Sequence, residues 1–327
     1  MHGEADAKYL CRPANLGYSM VYREQPSDHG PAAPRPMASD TPSQLPGPPD
    51  RLFDAYLFDL DGTVTLGDAL LPTAGETIAR LRALGRPVLF LSNNPSRPAA
   101  DYAARLTRLG LPTPPEDVIN SSLVMVAFLR QRLPGARLFV VGEASLCGEL
   151  AAAGFELADG AAGVDAVIAS FDRTLTYRKL QIAFDAIRAG ARFFATNGDR
   201  YCPTPDGGQP DAAAVIAAIE ACTAVPVEVI VGKPSPIMAE AALARLGLPP
   251  ERCLMTGDRL ETDVLLGLNA GMAAALTLTG ATSAAEAAAT DIRPTYVVRN
   301  LSELLAEGHG GTQRLHGVTQ RKNSSSV

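Results

Sequence analysis

Short apolar runs without polar alternation recur along this chain, and such runs are typical of strands buried on both faces of a parallel sheet. They predict strands at 56–58, 87–91, 137–141, 166–169, 193–195, 228–231, 253–256, 273–279 and 295–298. The segments between them carry apolar residues at helical spacing and predict helices at 75–84, 98–109, 121–133, 144–153, 177–189, 212–222, 237–246 and 264–268. Because strands and helices alternate, we expect an α/β fold built on a doubly wound parallel sheet.

Proline and glycine divide this pattern into two folded parts. Pro134-Gly135 and Pro226 flank a stretch with its own alternation of strand and helix. We therefore predict a Rossmann-like core at 51–133 and 227–306, with an α/β domain inserted at 134–226. The proline-rich segment 1–50 and the polar segment 307–327 lack sustained apolar periodicity, so we predict that both are disordered.

Composition narrows the function classes. The chain has 327 residues, of which 46% are apolar and 20% charged, as in ordinary globular proteins. Its formal net charge of −6, without a basic stripe, argues against a nucleic-acid partner. No stretch has the pattern of a membrane span or a signal peptide, so we expect no membrane partner. The five cysteines contain no C-x-x-C pair, which favours reduced thiols and a cytoplasmic location.

The first candidate for chemistry follows the strand at 56–58. Asp59 and Asp61 stand one residue apart at its carboxyl end, where ligands bind in open α/β sheets. At that spacing both side chains leave the strand on the same side and repel each other unless a cation lies between them. Gly62 permits a tight turn with free backbone N–H groups for an anion. The alternative is an Asp-rich turn that caps the next helix.

Three further strand ends carry polar groups. Ser92 and Asn93 follow the strand at 87–91, Lys233 follows 228–231, and Asp258 follows 253–256. Hydroxyl and amide groups suit hydrogen bonds to an oxyanion, and a lysine held between Gly and Pro offers a compact cation to a phosphate. Taken singly, these residues also fit a helix-capping loop or a solvated loop lysine.

Together, D-L-D-G-T at 59–63, S-N-N-P-S at 92–96, V-G-K-P-S-P at 231–236 and G-D-R-L-E-T-D at 257–263 resemble the motifs of the haloacid dehalogenase (HAD) superfamily. Within it, the chain resembles the class IIA branch of NagD-type and p-nitrophenyl phosphatases, over about residues 51–305. The resemblance implies a Mg²⁺-dependent phosphatase that hydrolyses small phosphate monoesters through an aspartyl-phosphate. The esters that fit are those of sugars, glycerol, glycolate, nucleosides or pyridoxal.

The resemblance also implies residue roles. Asp59 would be the nucleophile, and Asp61 the general acid and then the base. Ser92, Asn93 and Lys233 would bind the phosphoryl group. Mg²⁺ would be held by Asp59, the backbone carbonyl of Asp61, and Asp258, an oxygen-only set suited to a hard cation. Asp263 would orient its neighbours, as a partner of Lys233 or of a metal-bound water, without binding the metal directly.

The inserted domain resembles a C2-type cap, and its 196–203 loop resembles the family's substrate-specificity loop. By that resemblance Asn197, Asp199 and Arg200 would select the substrate, and two copies of the chain would pair through their caps. Two alternatives stay open: a phosphotransferase or phosphomutase on the same fold, and a catalytically idle protein that binds a phosphate ligand. The clustered charges of Asp59, Asp61, Lys233 and Asp258 argue against the idle protein. Release of inorganic phosphate without a second acceptor would exclude the transferase.

Overall fold

A computed structural model describes residues 45–204 and 207–305. Its strands are β1 Ala55–Asp59, β2 Thr65–Leu66, β3 Ala69–Leu70, β4 Val88–Ser92, β5 Val118–Asn120, β6 Arg137–Val141, β7 Glu156–Leu157, β8 Ala166–Ala169, β9 Arg192–Ala195, β10 Tyr201–Thr204, β11 Gly207–Pro210, β12 Val229–Ile230, β13 Cys253–Gly257, β14 Ala273–Thr277 and β15 Tyr296–Val298. Its α-helices are α1 Ala74–Ala83, α2 Ala99–Arg108, α3 Ser121–Arg132, α4 Ala144–Ala152, α5 Tyr177–Arg188, α6 Ala212–Thr223, α7 Pro236–Leu246, α8 Leu265–Asn269 and α9 Ala284–Ala289.

Two parallel sheets organise the fold. The first sheet has six strands in the order β15-β14-β13-β1-β4-β5, and the second has five in the order β12-β9-β8-β6-β7. Strand β1 is central in the first sheet and almost wholly buried, which explains why its sequence lacks polar alternation. The pairs β2–β3 and β10–β11 are short antiparallel hairpins. The predicted doubly wound α/β fold is confirmed.

One hydrophobic cluster joins the two sheets. It contains Leu57 and Leu91 of the first sheet, Leu138 and Ile168 of the second, and Met125 of α3. Two further clusters cover the opposite face of each sheet. The inserted domain is therefore packed against the core through a continuous apolar interior. That packing fixes which strand ends of the core face it.

Every predicted strand and helix has a counterpart, but one strand lies in the other sheet. The run at 228–231 was assigned to the core, whereas Val229–Ile230 pairs with β9 in the second sheet. Backbone N–H groups of Val231 and Gly232 extend this pairing by donating to Ala195 and Thr196 at 3.1 and 2.8 Å. The chain therefore leaves the inserted domain only after Gly232. The predicted boundaries of core and cap otherwise stay predictions.

Short elements escaped sequence analysis. Edge strand β5, the two hairpins and α9 have too few residues to show a period. The predicted disordered segments lie outside the described residues at 1–44 and 306–327, but residues 45–50 are described. Leu45 packs against the hydrophobic cluster that contains Leu276, and the Gly47 carbonyl accepts a hydrogen bond from the Val297 N–H. Within the described ranges, no helix is long and apolar enough to cross a membrane.

Candidate active site

The predicted site residues of the first sheet meet at its carboxyl edge. Asp59 is the last residue of β1, Ser92 is the last residue of β4, and Asp258 directly follows β13. These three strands are neighbours in the order β13-β1-β4, so their ends converge on one place. Parallel pairing of buried strands therefore accounts for the proximity of residues that are far apart in sequence.

Lys233 reaches the same place from the end of the second sheet. Its side chain is only 3% exposed, and its Nζ lies 2.6 Å from Asp59 Oδ1 and 2.7 Å from Asp263 Oδ1. Burial alone would lower the pKa of Lys233, but the carboxylates of Asp263 and Asp59 outweigh it and raise that pKa. The ammonium group thus stays charged between two carboxylates of the core.

Three carboxylates crowd together beside this lysine. Asp59, Asp258 and Asp263 each place one oxygen within 4.8 Å of the others. Asp258 Oδ2 accepts a hydrogen bond from the Ala281 N–H at 2.6 Å, while its buried Oδ1 has no hydrogen-bond partner among the described residues. Burial, followed by repulsion from Asp59 and Asp263, raises the pKa of Asp258 to about 7. The cluster therefore has more negative charge than Lys233 balances.

Two glycines make room for the Asp258 carboxylate. Gly62 has a φ of +97°, and a Cβ added there would lie 2.3 Å from Asp258 Oδ2. A Cβ added at Gly280 would lie 2.0 Å from the same oxygen. Since no carbon and oxygen approach so closely without a bond, any larger residue at either position would displace Asp258. The absence of a side chain at both positions therefore leaves the space that the Asp258 carboxylate occupies.

The unpaired Oδ1 of Asp258 fits a cation site. A buried carboxylate oxygen without a donor is costly unless a proton or a metal satisfies it. Asp59 and Asp258 supply the hard oxygen ligands that divalent cations such as Mg²⁺ and Ca²⁺ prefer. Asp263 differs, because its Oδ1 binds Lys233 and its Oδ2 accepts from the Arg259 N–H at 3.1 Å. This arrangement supports the predicted orienting role of Asp263.

Asp61 lies two residues after Asp59 and faces more open space. Its Oδ1 accepts a hydrogen bond from Thr65 at 3.1 Å and lies 3.7 Å from the Arg105 guanidinium. Burial and then the Asp59 carboxylate raise the pKa of Asp61. A carboxyl group that keeps its proton near a second, ionised carboxylate can donate that proton to a leaving group.

The side chain of Asn93 is engaged between the two sheets. Its Nδ2 donates to Asp199 Oδ2 at 2.8 Å and to the Lys233 carbonyl at 3.1 Å, and its Oδ1 accepts from the Lys233 N–H at 2.7 Å. Direct binding of phosphate by this amide would break one of these bonds. Ser92 is buried beside it, and its Oγ accepts from the Asn94 N–H at 3.2 Å.

The predicted specificity loop divides between two environments. Asn197 also donates to Asp199 Oδ2, at 2.8 Å, and Arg259 lies 3.7 Å from Asp199 Oδ1. We call the set of Asn93, Asn197, Asp199 and Arg259 the cap–core contact. Arg200, in contrast, is exposed, although it lines the same cavity of about 860 Å³ as Asp199, Arg259 and Lys233. The selection of substrate by Asn197, Asp199 and Arg200 stays a prediction.

Two arginines of the site, Arg259 and Arg105, are not among the residues predicted from the sequence. Arg259 contacts Asp199 and stacks over the Tyr201 ring at 5.2 Å, and its position inside G-D-R-L-E-T-D was a signal. Arg105 lies on α2 beside Asp61, and no sequence pattern separates it from the other arginines of that amphipathic helix. Its role depends on how α2 packs on the first sheet.

Two models of protein families match this chain. A model of haloacid dehalogenase-like hydrolases matches residues 56–156, and a second, HAD-hydrolase-like model matches residues 230–304. The two matches contain Asp59, Asp61, Ser92, Asn93, Lys233, Asp258 and Asp263. The stretch between the matches includes β8, β9 and the hairpin β10–β11.

Individual relatives cover nearly the whole described chain. The sugar-phosphatase AraL of Bacillus subtilis is 39% identical over 255 residues, which are 77% of this chain and 93% of that protein. The structure of a 4-nitrophenylphosphatase from Thermotoga maritima aligns with a TM-score of 0.74 at 36% identity, covering 77% of this chain and 96% of that one. A glycerol phosphate phosphatase from Mycobacterium tuberculosis, solved in complex with calcium, aligns with a TM-score of 0.71 at 36% identity and coverages of 77% and 74%. The chain therefore belongs to the haloacid dehalogenase-like hydrolases, in their NagD-like branch of phosphoric monoester hydrolases.

Proposed function

We propose that this chain is a Mg²⁺-dependent phosphatase that hydrolyses small phosphate monoesters through an aspartyl-phosphate on Asp59. The observation that carries the proposal is the Lys233 ammonium, which lies 2.6 Å from Asp59 within a cluster of three carboxylates. A phosphate monoester dianion repels a carboxylate nucleophile, so catalysis requires positive charge at the point of attack. Relatives that act on sugar phosphates, glycerol phosphate and 4-nitrophenyl phosphate support a small ester as substrate.

The metal would be held by Asp59, Asp258 and the backbone carbonyl of Asp61. The buried, unpartnered Oδ1 of Asp258 supports this set, and the carboxylate and carbonyl oxygens suit Mg²⁺. When bound, Mg²⁺ neutralises charge on the phosphoryl oxygens and fixes their position. Asp263 keeps Lys233 in place from the other side, since its two oxygens bind Lys233 Nζ and the Arg259 N–H.

The side chains carry the reaction in two steps. Asp59 attacks phosphorus while the bond to the ester oxygen breaks, and Asp61 gives its proton to that oxygen, releasing the alcohol. Asp61, now ionised, takes a proton from water as the water oxygen attacks the aspartyl-phosphate. Inorganic phosphate leaves, Asp59 regains its carboxylate and Asp61 regains its proton. The raised pKa of Asp61 supports the first of its two roles.

Lys233, Ser92 and Asn93 would bind the phosphoryl oxygens. Lys233 supplies the charge, and Ser92, the last residue of β4, lines the same small space. The side-chain amide of Asn93 is already bonded to Lys233 and Asp199. We therefore expect Asn93 to bind the phosphoryl group through its backbone N–H, while its side chain holds the backbone of Lys233 in place. A cytoplasmic location and pairing of two copies through their caps stay predictions.

Phosphate release by the purified chain tests the proposal. With p-nitrophenyl phosphate and MgCl₂ as the only additions, we expect steady release of inorganic phosphate without an acceptor. Asp59→Asn, which keeps size and hydrogen bonding, should lower kcat at least ~10³-fold, the scale of losses when one catalytic group is removed. If the Asp59→Asn protein keeps more than a few per cent of the wild-type activity, Asp59 is not the nucleophile. Turnover that depends on an added acceptor would favour a phosphotransferase.

A further inference from the structure

A second, smaller cavity opens beside Asp61. Its volume is about 270 Å³, and Asp61, Asn94, Arg97, Arg105, Phe171 and Arg173 are among the residues that line it. We call it the Asp61 cavity. Lys233 and Arg200 do not line it, whereas both line the larger cavity of about 860 Å³, which Asp61 does not reach. The site therefore offers two places for the part of the substrate beyond the phosphoryl group.

The position of the general acid decides between them. A group that protonates the leaving oxygen must lie within hydrogen-bond reach of it. Asp61 lines both the Asp61 cavity and the small space between Asp59, Lys233 and Asp258 where the phosphoryl group would bind. The leaving group is therefore expected in the Asp61 cavity. This step rests on the proposed function, because it takes Asp61 as the acid.

More guanidinium groups than carboxylates line the Asp61 cavity, and Glu143, which does not line it, pairs with one of them. Three guanidinium groups line it, and its lining carboxylates are those of Asp61 and the fully exposed Asp68. Arg105 lies 3.7 Å from both carboxylates and also donates to the Gly67 carbonyl.

The other two arginines differ in how they are held. Arg173 is paired with Glu143 at 2.7 and 2.8 Å, and its guanidinium lies 5.2 Å from the Phe171 ring. Arg97 has no carboxylate within ion-pair distance in the described part of the chain, and its side chain is exposed. Arg173 is therefore fixed in position by Glu143, whereas the exposed Arg97 can turn towards a ligand in the cavity.

We propose that the preferred substrates are small phosphate monoesters whose leaving group carries an anionic group, a carboxylate or a second phosphate, bound by Arg97 and Arg173 in the Asp61 cavity. The guanidinium of Arg97 can bind either anion with paired hydrogen bonds, and Arg173, whose Nε and Nη2 donate to Glu143, can add a further N–H donor. A neutral polyol would require neither charge. The volume lies just below the range of about 300–1,000 Å³ for ligand pockets, which favours a leaving group of few carbon atoms over a nucleoside.

Matched substrates test this assignment. Glycerate 3-phosphate and glycerol 3-phosphate share a carbon skeleton and differ by a carboxylate in place of CH₂OH. We expect the wild type to show the higher kcat/KM for glycerate 3-phosphate. Arg97→Gln and Arg173→Gln should each lower kcat/KM for it by about 10- to 100-fold, chiefly through KM, the range for one lost charge-assisted contact. For glycerol 3-phosphate the loss should stay within about threefold. Fructose 1,6-bisphosphate and fructose 1-phosphate form a second matched pair, which tests whether a second phosphate on the leaving group raises kcat/KM in the same way.

Arg178→Gln is the control for charge. Arg178 is an exposed arginine of α5, five residues from Arg173, and it lines none of the three cavities described here. It should change neither kcat/KM. Equal losses for charged and neutral esters in the Arg97 and Arg173 variants would overturn the proposal, as would a wild-type preference for the neutral member of both pairs. An effect confined to Arg200→Gln would instead place the leaving group in the larger cavity and also overturn it.

Binding separates this proposal from the proposed chemistry. Calorimetry on the Asp59→Asn protein measures Kd for the same esters without turnover. Tighter binding of the anionic ester, lost on adding Arg97→Gln, is the expected result even if the chain released no phosphate from any ester. Equal Kd values for charged and neutral esters would refute the anion site, while phosphate release by the wild type would leave the proposed function standing.

Discussion

The two parallel sheets of this protein share an architecture but differ at their carboxyl ends. In the second sheet, the polar side chains that follow β8 are satisfied by their neighbours: Ser170 bonds Thr196 at 2.8 Å, and the fully buried Asp172 pairs with Lys179 at 2.6 Å. In the first sheet, Asp258 keeps a buried oxygen without a partner, and three carboxylates face a single lysine. The same topology therefore supports a closed polar network in one sheet and an unbalanced charge in the other.

The difference shows where function lies in such folds. Both sheets place loops and polar residues at the edge where ligands bind in α/β proteins. A balanced network such as Asp172–Lys179 contributes to stability and offers nothing to a ligand. An unbalanced cluster destabilises the protein until a cation and a phosphate complete it, which makes it a binding site. Substitutions in the unbalanced cluster should therefore lower activity strongly, whereas substitutions in the Asp172–Lys179 network should lower stability and leave activity nearly unchanged.

Asp258→Asn should produce the largest effect on activity. It removes a predicted metal ligand from the unbalanced cluster, and we expect kcat to fall about 10³-fold. Added Mg²⁺ should raise the Tm of the wild type, because a ligand that binds only the folded state stabilises it, and should leave the Tm of the variant unchanged. Thermal unfolding with and without MgCl₂ checks this without measuring turnover. An equal Mg²⁺ shift in both proteins would contradict the ligand role.

In excess chelator, the same substitution should stabilise the protein. The pKa of Asp258 is raised to about 7, so its carboxyl group stays protonated to a higher pH in the folded state than in the unfolded state. Stability is therefore lost as pH rises from about 4 to about 7, and at pH 8 the loss is complete. Asn removes the charge, and we expect a gain of about 1–3 kcal/mol at pH 8. Denaturant unfolding in chelator measures this change in the free energy of unfolding. A variant less stable than the wild type would contradict the claim that the cluster carries unbalanced negative charge.

Lys233→Met should impair both properties. It leaves Asp59 and Asp263 without the ammonium that lies 2.6 and 2.7 Å from them. Removing one partner of a buried ion pair costs about 3–5 kcal/mol, and Mg²⁺ should recover only part of this. We expect lower stability by urea unfolding and a kcat/KM reduced by at least ~10²-fold. A variant with wild-type kcat/KM would show that Lys233 balances charge in the fold without binding the phosphoryl group.

Lys179→Met is the matched change in the second sheet. It also leaves a buried aspartate, Asp172, without its lysine, although Thr174 still donates to Asp172 at 2.6 and 2.9 Å. Because of those remaining bonds we expect a smaller loss of stability, about 1–3 kcal/mol. The kcat for p-nitrophenyl phosphate should stay within about twofold. A large fall in kcat with little change in stability would mean that the Asp172–Lys179 network takes part in the chemistry.

Sequence patterns predicted the sheets better than the contacts between them. Buried strands such as β1 show an uninterrupted apolar run, and Asp59, Asp61 and Asp258 stand directly at strand ends. The fold and the clustering of these carboxylates could therefore be predicted. The strand at 229–230 was placed in the wrong sheet, because pairing with β9 depends on distant residues. For the same reason, nothing in the sequence showed that Asp199 binds Asn93 or that Arg105 approaches Asp61.

Asp199→Ala should have a modest effect on activity that is uniform across substrates. Its carboxylate accepts hydrogen bonds from Asn93 and Asn197 in the cap–core contact. Losing it should loosen that contact and lower kcat/KM by about 3- to 10-fold for every ester, the scale of one or two polar contacts. A panel of phosphate esters measures this. A reordered panel would instead support the prediction that Asp199 selects the substrate.

A burst experiment with Asp61→Asn tests the role of the first sheet most directly. p-Nitrophenolate leaves without protonation, so this variant should still form the aspartyl-phosphate on Asp59 but lack the base that hydrolyses it. Mixing it with p-nitrophenyl phosphate and Mg²⁺ should release a rapid burst of about one p-nitrophenolate per active site, followed by turnover far slower than that of the wild type. The acid-quenched protein should carry phosphate that Asp59→Asn abolishes. No burst and no protein-bound phosphate, from a folded variant of an active wild type, would contradict covalent catalysis by Asp59.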